Sequence, residues 1–152
     1  MKITLFAVGR MKRGPFADLV STYTQRSEWP ITIKEVEGKP GLSGPSLVSY
    51  EGDKLLASLP DGVMLIGLDE KGDQLSSSEF AKLLESLQVK GHSHLGFVIG
   101  GADGLSDGVR ARAHKLISFG RCTWPHMMVR PMLCEQLYRA QQILQGHPYH
   151  RD

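Results

Sequence analysis

The sequence predicts an α/β domain with a mainly parallel sheet and helices on both of its faces. Short apolar runs alternate with segments whose apolar residues recur at helical spacing, which is the order that a parallel sheet requires. Helix-capping signals precede two of the helical segments. The sequence contains no internal repeat and no second set of elements, so residues 1–152 are expected to form a single domain.

The first half of the chain contains two predicted strands and two predicted helices. The run "KITLFAV" is apolar and ends at Gly9, which indicates a buried first strand. A helix is expected to follow, because Pro15 suits a helix start and apolar residues recur behind it at helical spacing. Apolar and polar residues alternate in "ITIKEVE", which predicts the second strand. The Gly- and Pro-rich stretch 38–46 predicts a loop, and a weaker helix is expected at 47–59.

The second half begins with "GVMLIGLD", a predicted central strand, and "EKGDQ" is expected to turn the chain. Ser76 and Glu79 have the spacing of a capping box ahead of an apolar helical stripe. "LGFVIGG" is the next buried strand, and Ser106 is expected to cap the helix after it. The residues expected to face inward from that helix are Val109, Ala113, Leu116 and Ile117.

A last helix is expected after the linking segment "SFGRCTWP". Leu133, Leu137 and Ala140 share one face of it, and Gly146 and then Pro148 end it. Pro131 indicates that this helix begins or bends at that position.

Composition excludes several classes of protein. The net charge of +2 does not by itself indicate a nucleic-acid partner. Cys122 and Cys134 have neither CxxC nor zinc-finger spacing, so reduced thiols and no metal site are expected. The N-terminal run "ITLFAV" is shorter than a signal sequence (about 7–15 apolar residues) or a membrane span (about 20). The protein is therefore expected to be soluble and cytoplasmic.

Three strand ends are rich in glycine or polar residues, and ligands of α/β sheets bind beyond the carboxyl ends of strands. They are Gly9-Arg10, Gly67-Leu68-Asp69 and "GGADGL" at 100–105. The last one suits either a close backbone approach to a ligand or simply a tight strand-to-helix turn. The sequence argues against a dinucleotide site, because the pattern is not GxGxxG and no acidic residue follows about 20 residues later.

No acidic residue occurs between Asp107 and Glu135, whereas basic residues do. The stretch either binds the phosphates of a nucleic acid or forms a solvated helix face whose charges pair with acidic residues elsewhere in the chain. Its basic residues are Arg110, Arg112, Lys115, Arg121 and Arg130, with His114 and His126. Arg10, Lys12 and Arg13, just beyond the first strand, could extend the same surface.

Four motifs, in this order and spacing, carry a resemblance to a known family. "FVIGGADGL", "TWPHMMVR", "EQLYRA" and "GHPYHR" together resemble the ribosomal large-subunit pseudouridine N3-methyltransferases of the SPOUT superfamily. The opening "MKITLFAVGR" and the length fit as well, so the resemblance covers essentially the whole chain. Ala102-Asp103 departs from the family, which more often has Pro-Glu at these positions.

The resemblance implies a SPOUT-type α/β fold whose C-terminal part forms a deep trefoil knot. The knotted part would span approximately 62–146, followed by a tail at 147–152. The resemblance also implies a homodimer, S-adenosylmethionine as the methyl donor, and N3 of a pseudouridine in 23S ribosomal RNA, on the ribosome, as the acceptor.

Carried over by position, the resemblance also implies the site residues. The residues expected to contact S-adenosylmethionine are Leu68, Gly100, Gly101, Phe119, Gly120, Arg121, Cys122, Thr123 and Trp124. Those expected to contact the RNA are Arg10, Arg130 and Arg139. Taken alone, Glu135 and Arg139 would be an ordinary helical ion pair at i, i+4.

The tail "HPYHRD" is expected to carry catalytic residues. Six residues reach at most about 20 Å, enough to cross the donor site of the same chain or of a partner. Tyr149 can stack on a base, and Arg151 can bind a phosphate or an imide oxygen. His150 is the candidate base, because histidine ordinarily changes its charge near neutral pH. The alternative is a tail that only packs on the dimer partner.

Two other functions stay open at this point. One is a ribosome- or RNA-binding module that does not bind a methyl donor and therefore has no catalytic activity. The other is a SPOUT methyltransferase that acts on a different RNA, such as transfer RNA.

Overall fold

The computed structural model describes residues 1–151 and confirms the α/β class. Five strands form one sheet in the order β2-β1-β4-β3-β5, and neighbouring strands pair in parallel. The strands are β1 (Lys2–Val8), β2 (Ile31–Val36), β3 (Met64–Gln74), β4 (His94–Ile99) and β5 (Lys115–Ser118). The helices are α1 (Pro15–Arg26), α2 (Gly44–Ser58), α3 (Ser77–Val89), α4 (Asp107–Arg112) and α5 (His126–Leu144).

Alternate residues of the strands enter two cores, one on each face of the sheet. In β4, Leu95 and Phe97 lie in the core formed with α1, α3 and α5. Val98 lies in the other core, with Leu55 of α2 and Val109 of α4. Each such fully buried side chain contributes about 1.5–3 kcal/mol. The prediction of helices on both faces of the sheet is therefore confirmed.

The two predicted capping signals are present. Ser76 Oγ accepts from the backbone N–H of Glu79 at 3.1 Å, and Glu79 Oε2 accepts from the backbone N–H of Ser76 at 2.7 Å. This reciprocal pair completes the capping box of α3. Ser106 Oγ accepts from the N–H of Val109 at 3.3 Å and caps α4.

The helix after Ser106 is shorter than the sequence predicts. Helix α4 ends at Arg112, and the chain then forms β5 at the edge of the sheet. The backbone N–H of His114 donates to the carbonyl of Leu65 at 2.8 Å, and the His114 side-chain Nδ1 accepts from the N–H of Leu65 at 3.1 Å. These two hydrogen bonds attach the chain before β5 to β3. The prediction of a helix through Leu116 and Ile117 is wrong, since a short apolar run fits a helix and a strand equally well.

The segment "EKGDQ" does not turn the chain back. Strand β3 pairs with β5 up to Leu68, loops out, and pairs again from Asp73, so that Ile117 is the partner of both. A Cβ on Gly72 would lie 2.6 Å from the backbone of Ile117, so only glycine fits here. The predicted turn is therefore a bulge inside an 11-residue strand.

One helix start differs from the expectations. Helix α2 begins at Gly44 rather than at 47, because Pro45 suits its first turn. Helix α5 begins at His126, directly after the linking segment as expected, so Pro131 lies inside the helix and does not start it.

No helix in the described part of the chain is long and apolar enough to span a membrane. The deep knot and the limits 62–146 stay predictions.

Candidate active site

A cavity of about 310 Å³ lies where the parallel strands end. We call it the carboxyl-edge cavity. It is bordered by the bulge within β3, by the last residues of β4 and β5 and the loops that follow them, and by one residue of α4 and the first turn of α5. Its lining residues are 68–70, 99–104, Arg110, 117–120, 122–124, His126 and Val129.

Eight of the nine residues that were expected to contact the donor line this cavity: Leu68, Gly100, Gly101, Phe119, Gly120, Cys122, Thr123 and Trp124. The ninth, Arg121, is exposed and is not part of the lining. The loop after β5 folds on itself, because Trp124 Nε1 donates to the carbonyl of Phe119 at 3.3 Å and Ser118 Oγ donates to the carbonyl of Gly120 at 2.8 Å.

The loop after β4 presents backbone to the cavity. A Cβ on Gly100 would lie 2.5 Å from the carbonyl group of Gly104, so the turn has no room for a side chain there. The N–H of Gly104 donates to the carbonyl of Gly101 at 3.0 Å and closes the turn. Both explanations of "GGADGL" therefore hold together, since a tight turn that requires glycine also lines a cavity.

The charged residues of the lining are mainly acidic. The lining contains three acidic residues and one arginine, so its side chains carry two more negative than positive charges. The acidic residues are Asp69, Glu70 and Asp103, and the arginine is Arg110. Asp69 is buried and accepts from Arg110 Nε at 2.6 Å, and this hydrogen bond raises the pKa of the guanidinium. Such a wall favours a ligand with positive charge.

His126 lines the same cavity at the start of α5. Burial lowers the pKa of its imidazole, and the nearby Arg130 guanidinium lowers it further. Both effects favour the neutral form of the ring.

Arg130 does not lie at the surface, and the expectation that it contacts RNA is wrong. Its side chain is fully buried, with Nη2 donating to the carbonyls of Val8 at 2.7 Å and Gly9 at 2.6 Å. Nη1 pairs with Glu35 at 3.3 Å. Arg130 thus ties α5 to the carboxyl end of β1, because buried carbonyls and a buried guanidinium need each other as partners.

A second cavity, which we call the α1–α5 groove, has a volume of about 840 Å³ and an apolar lining. Leu19 of α1 is 44% exposed beside it. Residues 117–120 line both the groove and the carboxyl-edge cavity, so this segment separates them. The apolar residues of the groove are Phe16, Leu19, Tyr23, Leu75, Phe80, Ile117, Phe119, Met128, Pro131 and Met132.

The tail joins a polar cluster at the rim of this groove. Glu135 Oε1 accepts from Arg139 Nε at 2.9 Å, from Arg139 Nη2 at 2.6 Å and from the Tyr149 hydroxyl at 3.1 Å. The Arg139 guanidinium lies 4.8 Å from the centre of the Tyr149 ring, which also packs against Tyr138 at 4.9 Å. Burial raises the pKa of Tyr149, so the hydroxyl stays protonated and donates. We call Glu135, Arg139, Tyr149 and His150 the tail cluster.

His150 completes the tail cluster through Arg139. His150 Nδ1 lies 3.2 Å from Arg139 Nη1. A guanidinium only donates, so Nδ1 is the acceptor and the ring proton is on Nε2.

The structure thus groups the predicted residues into two sets. Eight of the residues expected to contact the donor border the carboxyl-edge cavity, whereas none of residues 147–151 lines it. Arg10 and Arg151 are exposed, and Arg139 is engaged in the tail cluster. Among residues 1–151 no cluster of three or more metal-binding side chains occurs.

One buried residue next to the site was missed, Glu51 of α2, which is 7% exposed and contacts the loop after β4. The sequence signal that could have found it is the neighbouring Gly52, since a glycine inside a helix often marks the close approach of another segment.

Comparison with known proteins gives the family. Residues 1–150 match the family described as "Predicted SPOUT methyltransferase". "Ribosomal RNA large subunit methyltransferase H" of Rhodospirillum centenum is 52% identical over 151 residues, 99% of each chain. The protein of the same name from Paramagnetospirillum magneticum is 50% identical over 151 residues, again 99% of each chain.

Solved structures agree in fold at low sequence identity. A probable methyltransferase from Bordetella pertussis superposes with a TM-score of 0.57 at 12% identity, covering 91% of this chain and 95% of that one. The SpoU methyltransferase AviRb from Streptomyces viridochromogenes, solved with AdoMet, gives 0.50 at 13% identity, covering 93% of this chain but only 58% of that one. The resemblance carried by the four motifs is confirmed: the chain belongs to the SPOUT methyltransferases and, within them, to the family of ribosomal RNA large subunit methyltransferase H.

Proposed function

We propose that this chain transfers the methyl group of S-adenosylmethionine to N3 of a pseudouridine in large-subunit (23S) ribosomal RNA on the ribosome. The observation that carries the proposal is the carboxyl-edge cavity, in which eight residues named from the family resemblance come together. The names of the full-length relatives support ribosomal RNA as the substrate.

The charge and the lining residues of the cavity suit the donor. S-adenosylmethionine supplies a methyl group on a positively charged sulfur. The acidic excess from Asp69, Glu70 and Asp103 favours such a cation, while Phe119 and Trp124 offer apolar surface for an adenine ring. The glycine turn at 100–104 lets backbone groups reach the donor closely.

The acceptor nitrogen belongs to an imide, which attacks well only after it has lost its proton. The protein must therefore hold the base in line and stabilise the developing negative charge. Arg139 and Arg151 supply that stabilisation, and Tyr149 stacks on the base. His150 acts as the base if its Nδ1 leaves Arg139. Arg10, exposed at the carboxyl edge, contacts a phosphate.

The active form is a homodimer in which the tail of one chain closes the cavity of the other. Two features support this arrangement. The chain's own tail cluster lies beside the α1–α5 groove rather than at the carboxyl-edge cavity. The groove is apolar and leaves Leu19 exposed, as expected of a surface that a second copy covers.

The remaining features follow from the family. Residues 1–152 form one domain whose knotted part spans approximately 62–146, with the tail beyond it. The protein acts in the cytoplasm, where ribosomes are found, and its own residues supply the catalytic groups without a metal.

Methyl transfer to intact ribosomes tests the reaction. Tritiated S-adenosylmethionine is supplied with ribosomes that either carry or lack the pseudouridines, and with bulk transfer RNA as a third substrate. We expect label only in the pseudouridine-containing large subunit. Label in transfer RNA would redirect the proposal to another substrate, and absence of donor binding in calorimetry would indicate a non-catalytic RNA-binding module.

Truncation after Gly146 tests the role of the tail. We expect the shortened chain to lose methylation while it still binds the donor with near-native affinity. If donor binding and methylation both survive unchanged, Tyr149, His150 and Arg151 have no catalytic role.

A further inference from the structure

Arg110, in the last turn of α4, is the only lysine or arginine in the described part of the chain that lines the carboxyl-edge cavity. Two other cations of the same basic stretch are bonded elsewhere. Arg112 Nη2 donates to the carbonyl of Val63 at 3.2 Å, and Lys115 Nζ pairs with Asp73 at 2.6 Å. A negatively charged group that enters the cavity therefore has Arg110 as its permanently charged partner.

Asp69 fixes the direction of this guanidinium. The side chain of Asp69 is 2% exposed, and its Oδ2 accepts from Arg110 Nε at 2.6 Å. Its Oδ1 accepts from the backbone N–H of Lys71 at 2.9 Å, inside the bulge of β3. Both oxygens of the carboxylate are engaged, so Asp69 joins α4 to the bulge and holds Arg110 by its Nε.

The far end of the guanidinium lies against the turn after β4. Arg110 Nη2 is 3.9 Å from the position that a Cβ on Gly104 would occupy. Nη1 reaches the fully exposed carboxylate of Asp107 at 3.3 Å, whereas Nη2 makes no hydrogen bond with another residue of the described chain. Because this amino group carries only donors, Nη2 keeps its N–H groups for a ligand.

The charges of the cavity wall match the two charged groups of an amino acid. The methionine part of S-adenosylmethionine carries a carboxylate and an ammonium group. Glu70 and Asp103, both exposed, line the same cavity as Arg110. A guanidinium binds a carboxylate more strongly than a neutral donor does, because both partners are charged. The wall thus offers a cation to the carboxylate and acidic side chains to the ammonium group.

We propose that Arg110 binds the carboxylate of S-adenosylmethionine through its Nη2 amino group, and that Asp69 is the positioning residue that directs it. This inference rests on the function proposed above. It makes Arg110 a specificity-determining residue, because adenosine derivatives without the amino-acid carboxylate lose this contact. An ion pair that served folding alone would support every ligand of the cavity equally.

Two ligands that differ in one group test the proposal. Decarboxylated S-adenosylmethionine keeps the adenosine, the sulfonium and the amine and lacks only the carboxylate. In calorimetry the wild-type chain should bind S-adenosylmethionine with a Kd about tenfold below that of the decarboxylated form. Equal affinities would overturn the proposal without any substitution.

Substitutions of Arg110 remove the contact. With Arg110→Gln we expect the Kd and the KM for S-adenosylmethionine to rise about 10- to 100-fold, the Kd of the decarboxylated form to stay within about threefold, and the KM for ribosomes to stay unchanged. Arg110→Lys keeps a positive charge beside Asp69 without the Nη2 group, and it serves if Arg110→Gln does not fold. Its Kd for the donor alone should rise at least about threefold. Lys71→Gln removes an exposed cation outside the cavity lining and should change neither Kd.

Asp69→Asn tests the positioning role. The variant keeps the size of the side chain but removes its charge, so the bond to Arg110 weakens. We expect the Kd of the donor to rise about three- to tenfold, with that of the decarboxylated form unchanged. In a chain that already carries Arg110→Gln, Asp69→Asn should not change the ratio of the two Kd values further. A loss shared equally by both ligands would overturn the positioning role of Asp69.

The same titrations distinguish the two levels of inference. If the wild type does not bind S-adenosylmethionine, the proposed function fails and the role of Arg110 fails with it. If the wild type binds the donor but the Arg110 variants lose affinity for both ligands in the same proportion, or for neither, only the role of Arg110 is refuted.

Discussion

The carboxyl-edge cavity and the α1–α5 groove share residues 117–120 as a wall but are built from different groups. The cavity is formed by glycine-rich backbone, acidic side chains and a loop that is fixed from behind by α2. The groove is apolar, and the tail cluster stands at its rim. Under the proposed function, one chain forms the donor side by itself, whereas the apolar groove and the tail cluster are left for a second copy and for RNA.

The strongest test of this division is Arg139→Ala. Arg139 contacts Glu135, Tyr149 and His150 but no residue of the cavity lining. We expect methylation of ribosomes to fall about 100- to 1000-fold, as when one donor to a developing anion is removed, with an unchanged Kd for S-adenosylmethionine. Lys82→Ala, which removes an exposed cation from α3, is the control. A parallel loss of donor affinity would show that the two sides are not separate.

A second test compares two arginines of the same helix by their effect on stability. Arg130→Ala leaves the carbonyls of Val8 and Gly9 without their buried partner, and we expect the free energy of unfolding to fall by about 3 kcal/mol. Arg139→Ala breaks a partly exposed pair and should cost at most about 1 kcal/mol. Urea denaturation followed by circular dichroism measures both. Equal losses would contradict the assignment of Arg130 to structure and Arg139 to chemistry.

The two cysteines report on the cavity without any substitution. Cys122 is exposed and lines the cavity, whereas burial raises the pKa of the Cys134 thiol to about 12 and leaves it unreactive. A maleimide should therefore label one site in the folded protein. S-adenosylmethionine at about ten times its Kd should slow that labelling roughly tenfold, read by mass spectrometry. Labelling that the donor does not slow would mean that the donor binds elsewhere.

The smallest expected effect is a pH dependence of stability. Burial lowers the pKa of His126 at the cavity and of His94 at the opposite end of the sheet. The unfolded chain then binds more protons than the folded chain, so stability is complete above the ordinary value of 6.5 and decreases as the pH falls towards the lowered values. Thermal melts between pH 7 and pH 5 should show this decrease, and His126→Gln should reduce it. An unchanged slope in that variant would argue against a buried neutral His126.

Much of the fold follows from local signals. The strands that end at glycine, the capping box of Ser76 and Glu79 and the cap at Ser106 all appear where the sequence indicates them. The errors lie where a distant partner decides the structure. Residues 115–118 become a strand because β3 offers an open edge, and residues 69–72 loop out because β3 and β5 pair again beyond them. No local pattern contains either fact.

The candidate site likewise combines residues that the sequence predicts with residues that only the folded chain brings together. Eight of the nine residues that the family motifs predict for the donor meet at one cavity, but periodicity alone would not have selected them. Arg130 was misjudged because a stretch without acidic residues does not reveal which guanidinium is buried. Its partner Glu35 lies 95 positions earlier in the sequence. Glu51 was missed for a similar reason, since only the folded chain brings α2 beneath the loop after β4.

The wall at 117–120 has a thermodynamic consequence of its own. A molecule that binds in the carboxyl-edge cavity or in the α1–α5 groove and displaces this segment enlarges its own site and narrows the other. Occupancy on the two sides is then linked, and the factor by which one guest changes the affinity of the other is the same in both directions. The two cavities are separated by the thickness of a single peptide segment, so any such linkage would pass through these four residues.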